Sequence, residues 1–164
     1  MMTSLFEKIL VPLDGSEHSL KALTVAIEIA KKFGGKISLV HIYSVAVSPI
    51  IAPEPSTLTP PMLPMMTPEE ISKAVEATRK ASMNILTDGK QKAEAEGVQV
   101  ETVLKEGHIV QEIIKTAKEG KFDLIVIGAR GISKIRELLL GSVTDGVIHH
   151  ASCPVLVIKF SPKE

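Results

Sequence analysis

Ile9-Leu10-Val11-Pro12-Leu13-Asp14-Gly15-Ser16 is the stretch whose reading decides the fold. Its aliphatic run has no polar face, so it reads as a strand buried on both sides, the kind found in parallel sheets. It closes on proline and then Asp-Gly-Ser, residues that favour turns. Beyond the turn, Leu20, Leu23, Ile27 and Ala30 recur at helical spacing. Ser16 is placed to cap the start of that helix, and Gly34-Gly35 to stop it. A buried strand feeding an amphipathic helix is the opening of a βαβ unit.

The rest of the chain continues the alternation. Ile37 to Tyr43 reads as a second strand. Residues 44–66 differ in kind, because seven of the ten prolines lie between Pro49 and Pro68, mixed with Ser, Thr and Met. Proline removes backbone donors and fixes φ, so this stretch is expected to be a Pro/Met-rich insertion. Loops this long are uncommon unless they serve a function, and Met62, Met65 and Met66 could form an adaptable surface. Thr67-Pro68-Glu69-Glu70 then offers an N-cap, a proline at the first helical position and a capping-box glutamate. That helix is expected to reach about Glu96 and stop at Gly97, with Gly89 a weak point costing roughly 1 kcal/mol against alanine. Val98 to Leu104 alternates as a third strand. Val110, Ile113, Ile114 and Ala117 mark a third helix ending at Gly120. Leu124 to Ile127 is a fourth strand, a helix runs from Ser142 to about Ala151, and Pro154 to Ile158 is a fifth strand. The order βαβαβαβαβ predicts parallel pairing with right-handed crossovers and helices on both faces.

Composition bounds the function. The 164 residues suit one domain, with 45% apolar and 23% charged residues. Nineteen basic residues balance nineteen acidic ones, which gives no basic footprint for nucleic acid. Aromatics are only 3%, too few for base-stacking platforms. Cys153 is the only cysteine, so no internal disulfide can form. The apolar runs are strand-length and fall short of a membrane span, and Met1 to Lys8 lacks the order of a signal peptide. A cytoplasmic protein with no membrane or nucleic-acid partner is the expectation.

In an open parallel sheet, ligands bind beyond the carboxyl ends of the strands. Two segments fall there: Pro12-Leu13-Asp14 after the first strand, and Gly128-Ala129-Arg130-Gly131 after the fourth, with Gly141-Ser142 following later. Glycine lets backbone N–H groups come close to an anion, and the start of a helix favours negative charge. Ser142 is placed to open that helix, with Asp145 as its capping partner. Arg130, Lys134 and Arg136 add positive charge around it. On residues alone, an anion site and a plain turn-and-cap stand level. Asp14 likewise reads either as a turn cap or as a ligand group. No P-loop and no G-x-G-x-x-G is present. His41 reads as packed in its strand, His149-His150 point apart on a helix, and Cys153 reads as an inert packed thiol.

The chain resembles the universal stress protein family. Lys8 to Ser16 is similar to that family's first strand and turn, and Cys153 to Ile158 to its last strand. Gly128-x₂-Gly131-x₉-Gly141-Ser142 resembles the motif of its ATP-binding subgroup. The similarity covers the chain outside residues 44–66. It implies a Rossmann-like α/β fold over residues 1–164: a single open five-stranded parallel sheet of order 3-2-1-4-5 with helices on both faces. It also implies ATP as ligand, with Mg²⁺ or Mn²⁺ held mainly by the phosphates. By that resemblance Pro12, Leu13, Asp14 and Ile42 border adenine and ribose. Gly128, Arg130, Gly131, Gly141, Ser142, Val143 and Thr144 surround ribose and phosphates. A homodimer through Val155–Ile158 is implied too, with a further protein partner that the sequence does not name. The expected function is a nucleotide-dependent stress-response switch without catalytic residues. A slow ATPase and a nucleotide-free dimeric scaffold are the alternatives.

Overall fold

Ile9, Leu10 and Val11 have no exposed surface, and the strand they form, β1 (Lys8–Pro12), lies at the centre of the sheet. The computed structural model describes residues 4–44, 66–131 and 140–159. β1 pairs in parallel with β2 (Lys36–Tyr43) on one side and β4 (Leu124–Gly128) on the other. β3 (Val100–Glu106) extends the sheet beyond β2, and β5 (Val155–Ile158) extends it beyond β4. The order is β3-β2-β1-β4-β5, all parallel, as the alternation and the resemblance predict. The chain order reverses between β1 and β4, so a crevice opens at their carboxyl ends.

The helices divide between the two faces. α1 (Glu17–Phe33) and α2 (Pro68–Ala95) cover one, where Leu23, Ile27, Leu86 and Ala93 pack with Ile9, Val11 and Leu39. α3 (Ile109–Glu119) and α4 (Ser142–His150) cover the other, where Ile113, Ala117 and Val147 pack with Leu10, Val40 and Ile125. Successive strand residues point to opposite faces, so Ile9 and Leu10 enter different cores.

Ser16 caps α1 by accepting from Ser19 N–H, and Gly34 closes it. Leu20 departs from the expected face: the buried stripe is Ser19, Ala22, Leu23, Ala26, Ile27 and Ala30, and Leu20 lies beside it, 39% exposed. The third strand begins at Val100 rather than Val98, and runs to Glu106. Val98 is still buried, but its N–H bonds back to Ala93 in the turn that ends α2.

The start of α2 forms the full capping box. Thr67 Oγ1 accepts from Glu70 N–H at 3.2 Å, and Glu70 Oε2 accepts from Thr67 N–H at 2.7 Å. The bond from the Thr67 backbone holds the Glu70 carboxyl below the ordinary glutamate value. A carboxyl lowered on folding stabilises above its unfolded pKa, and that contribution is lost as pH falls through the folded value. Carboxyl-carbon NMR should therefore show Glu70 titrating below the usual range, with the Thr67 amide losing protection as it does. A midpoint at or above the usual value would contradict the cap.

Candidate functional site

Three strand ends build the cleft. β1 delivers Pro12, Leu13 and Asp14; β2 delivers Val40, His41 and Ile42; β4 delivers Ile127 and Gly128. The cavity they share measures about 320 Å³. That lies at the small end of ligand sites. Arg130, Gly131 and the first turn of α4 line one end, and Ile109 and Ile113 of α3 line a wall.

The turn after β1 is pinned at several atoms. Leu13 N–H donates to Val40 O at 2.9 Å, and Leu13 O bonds His41 Nδ1 at 2.6 Å. A carbonyl only accepts, so Nδ1 carries the proton in this arrangement. Asp14 Oδ1 accepts from Ser16 N–H at 2.9 Å. Asp14 Oδ2 lies 2.6 Å from where a Cβ would stand on Gly131. The two sequence readings of Asp14 are therefore compatible: one oxygen caps the turn, and the other faces the glycine loop across the crevice.

The loop after β4 is drawn against the start of α4. Ala129 N–H donates to Ile158 O at 2.8 Å, and Gly141 N–H donates to Ala129 O at 2.9 Å. Thr144 Oγ1, which is buried, donates to Gly128 O at 2.7 Å. The Thr144 side chain is thus a tie between α4 and β4. Gly141, not Ser142, is the N-cap of α4, and among the described residues no side chain makes a capping bond there. This corrects the expected Ser142–Asp145 cap. A glycine cap brings no side-chain oxygen of its own. Among the described residues, the first-turn N–H groups of Ser142, Val143 and Thr144 then have no capping side chain and no intrahelical acceptor. Together with the helix dipole they form an anion-directed end of the cleft.

All eleven expected site residues line this one cavity: Pro12, Leu13, Asp14, Ile42, Gly128, Arg130, Gly131, Gly141, Ser142, Val143 and Thr144. Lys134, Arg136, Met62 and Met65 lie outside the described residues, and Met66 is exposed. Ser19, Val40, His41, Ile109, Ile113 and Ile127 line it as well and were not singled out as site residues. Ile109 and Ile113 carried a signal, the i, i+4 spacing on the face of α3. His41 carried none, because its ring nitrogen finds its partner in another strand's turn.

Other reactive side chains lie elsewhere. His149 and His150 each place Nδ1 on the carbonyl four residues back, at 2.8 Å. Cys153 packs against the second core. Burial pushes its thiol pKa up, and the Asp123 charge adds to that. Among the described residues no three His, Cys, Asp or Glu side chains gather as a metal centre. No described helix is long and apolar enough to cross a membrane.

Comparison with known proteins adds relatives to this geometry. The profile described as Universal stress protein family matches residues 5–159. The universal stress protein YxiE of Bacillus subtilis (strain 168) is 38% identical over 156 residues, spanning 94% of this chain and 100% of its own. The structure of MJ0577 from Methanocaldococcus jannaschii superimposes with a TM-score of 0.76 at 25% identity, over 97% of this chain and 99% of its own. A universal stress protein crystallised in complex with cAMP superimposes with a TM-score of 0.65 at 26% identity, over 95% of this chain and 98% of its own.

Proposed function

The chain belongs to the universal stress protein family, and from that premise we propose that it is a stress-response module whose cleft binds ATP and whose activity follows nucleotide state. The observation that carries this reading is the convergence of Asp14, Gly131 and the open first turn of α4 on one cavity. The chemistry of the lining suits the parts of a nucleotide. Ile42, Val40 and Ile127 give an apolar wall for a flat base. The Asp14 carboxylate accepts from hydroxyl donors, as a ribose offers. Gly131, Gly141 and the N–H groups of Ser142 to Thr144 accept negative charge. Mg²⁺ or Mn²⁺, held mainly by the phosphates, would neutralise charge beyond the reach of those N–H groups.

Hydrolysis asks for more than this: a positioned water and stabilisation of the γ-phosphate. The residues named here bind and orient, so the proposal is a binding module in the cytoplasm with little turnover. The relative in complex with cAMP favours one further reading, an adenine nucleotide with a single phosphate. Titration calorimetry with ATP, AMP, cAMP and GTP in the presence of Mg²⁺ tests both. Saturable binding of ATP in preference to GTP supports the proposal. Preference for cAMP over ATP supports the second reading, and no saturation at millimolar nucleotide overturns both.

The proposal includes a homodimer through β5. That strand is an edge, and Leu156 on it is 37% exposed. An apolar edge strand invites pairing with another chain. Across a two-fold axis Val155–Ile158 would meet its own copy. Leu156→Glu places like charges against each other in that arrangement. Light scattering should find the wild type at twice the chain mass and the variant at the chain mass. A wild type that stays monomeric at all concentrations contradicts the dimer.

A further inference from the structure

Gly89 sits mid-helix in α2, where glycine weakens a helix, yet it is buried. The structure supplies a reason. A Cβ on Gly89 would stand 2.6 Å from Leu13 Cδ1 and 3.0 Å from Leu39 Cδ1. One turn earlier on the same helix face, Ile85 reaches the other side of the same loop. Its Cδ1 and Cγ1 lie 3.5 Å from where a Cβ would stand on Gly15. Leu13 and Gly15 are the two neighbours of Asp14. We propose that Ile85 and Gly89 are positioning residues of the cleft: one face of α2 seats the Leu13–Gly15 turn and so fixes where the Asp14 carboxylate stands.

The seat has a definite mechanical consequence. The Leu13 backbone is held to β2 through Val40 O and His41 Nδ1. Its side-chain Cδ1 occupies the space that a Cβ on Gly89 would need. Any side chain at position 89 displaces Leu13 first, because the alternative is to move α2 away from β2 and β3, against which Leu86 and Ala93 are buried. Leu13 and Asp14 are adjacent, so crowding at Leu13 strains the turn that holds the Asp14 bond to Ser16 N–H. α2 thereby sets the geometry of the ribose end of the cleft without touching a ligand. The inference rests on the nucleotide reading for its effect on affinity, but its effect on the loop can be read without ligand.

The test is Gly89→Ala, followed by amide hydrogen exchange and ATP titration. The Leu13 and Ser16 amides are expected to exchange at least about tenfold faster, a larger factor than for Ile125 in β4, and ATP to bind about tenfold more weakly. Adding Leu13→Val removes the methyl group that the new Cβ meets, and is expected to restore most of the protection at Ser16. If Gly89→Ala does not fold, Ile85→Ala tests the seat from its half-buried side, with the same expected local loosening. Equal acceleration at Ile125 and at Leu13 in the variant that folds would mean general destabilisation, and would overturn the proposal. So would a folded variant with wild-type exchange at Leu13 and Ser16. A wild type that takes no ATP would instead sink the nucleotide reading, and the exchange data would still decide the seat.

Discussion

Gly131→Val is expected to fold normally and to bind ATP at least about a hundredfold more weakly than wild type. The Cβ alone would stand 2.6 Å from Asp14 Oδ2. Asp14 must then rotate away, which strains its 2.9 Å bond to Ser16 N–H, or the loop must retreat against its ties to Ile158 and Gly141. The valine methyl groups also enter the space between Asp14 and α4. Losing charge-assisted hydrogen bonds costs about 1.5–3 kcal/mol, roughly ten- to a hundredfold in affinity, before steric exclusion is added. The position is exposed and the group in its way is the end of a side chain, so the cost to the fold stays within about 1 kcal/mol. Calorimetry together with a melting curve checks both halves. Unchanged affinity in a folded variant would place the ligand elsewhere.

Gly128→Ala is expected to do the reverse, with its main effect on stability. A Cβ there would stand 2.7 Å from His18 C and 2.9 Å from His18 O, which are backbone atoms of α1. Neither side can yield cheaply. β4 is hydrogen-bonded between β1 and β5, and α1 is anchored through Leu23 and Ile27. Overpacking of this kind costs about 1–3 kcal/mol, and contact with backbone puts it at the upper end. For a chain of this size that corresponds to a fall in Tm of roughly 6–12 °C. A Tm within about 2 °C of wild type would show that α1 shifts freely and would contradict the packing account. The two variants separate glycines that the sequence motif presents as equivalent. Gly131 is small against the Asp14 carboxylate, whereas Gly128 is small for a helix.

What the sequence made legible follows from how local each signal is. The Ile9-Leu10-Val11 run declares a strand buried on both faces because no polar residue interrupts it. Thr67 and Glu70 declare a helix start because both partners of the capping box lie within one turn. Where the deciding contact came from another element, the local pattern misled. Leu20 has helical spacing, but which neighbours cover α1 is settled by the sheet. Gly89 looks like a flaw until Leu13 and Leu39 are seen against it. Ser142 looks like a cap, but the chain enters α4 through Gly141, which is drawn into place by the carbonyl of Ala129. The glycine motif brought its own residues to one cavity, while Ser19 in α1 and His41 in β2 line it through bonds to the turn after β1, which no single-segment pattern encodes.

A backbone amide NMR titration of the intact protein with ATP and Mg²⁺ tests nucleotide binding in the cleft most directly. Saturable shifts are expected at Leu13 to Gly15, Ile42, Gly128 to Gly131 and Gly141 to Thr144, all at the carboxyl end of the sheet. Little change is expected at Lys8, Asp123 and Cys153, at the opposite end. Shifts centred on that opposite end, or no saturable shifts at millimolar ATP, would contradict binding in the cleft.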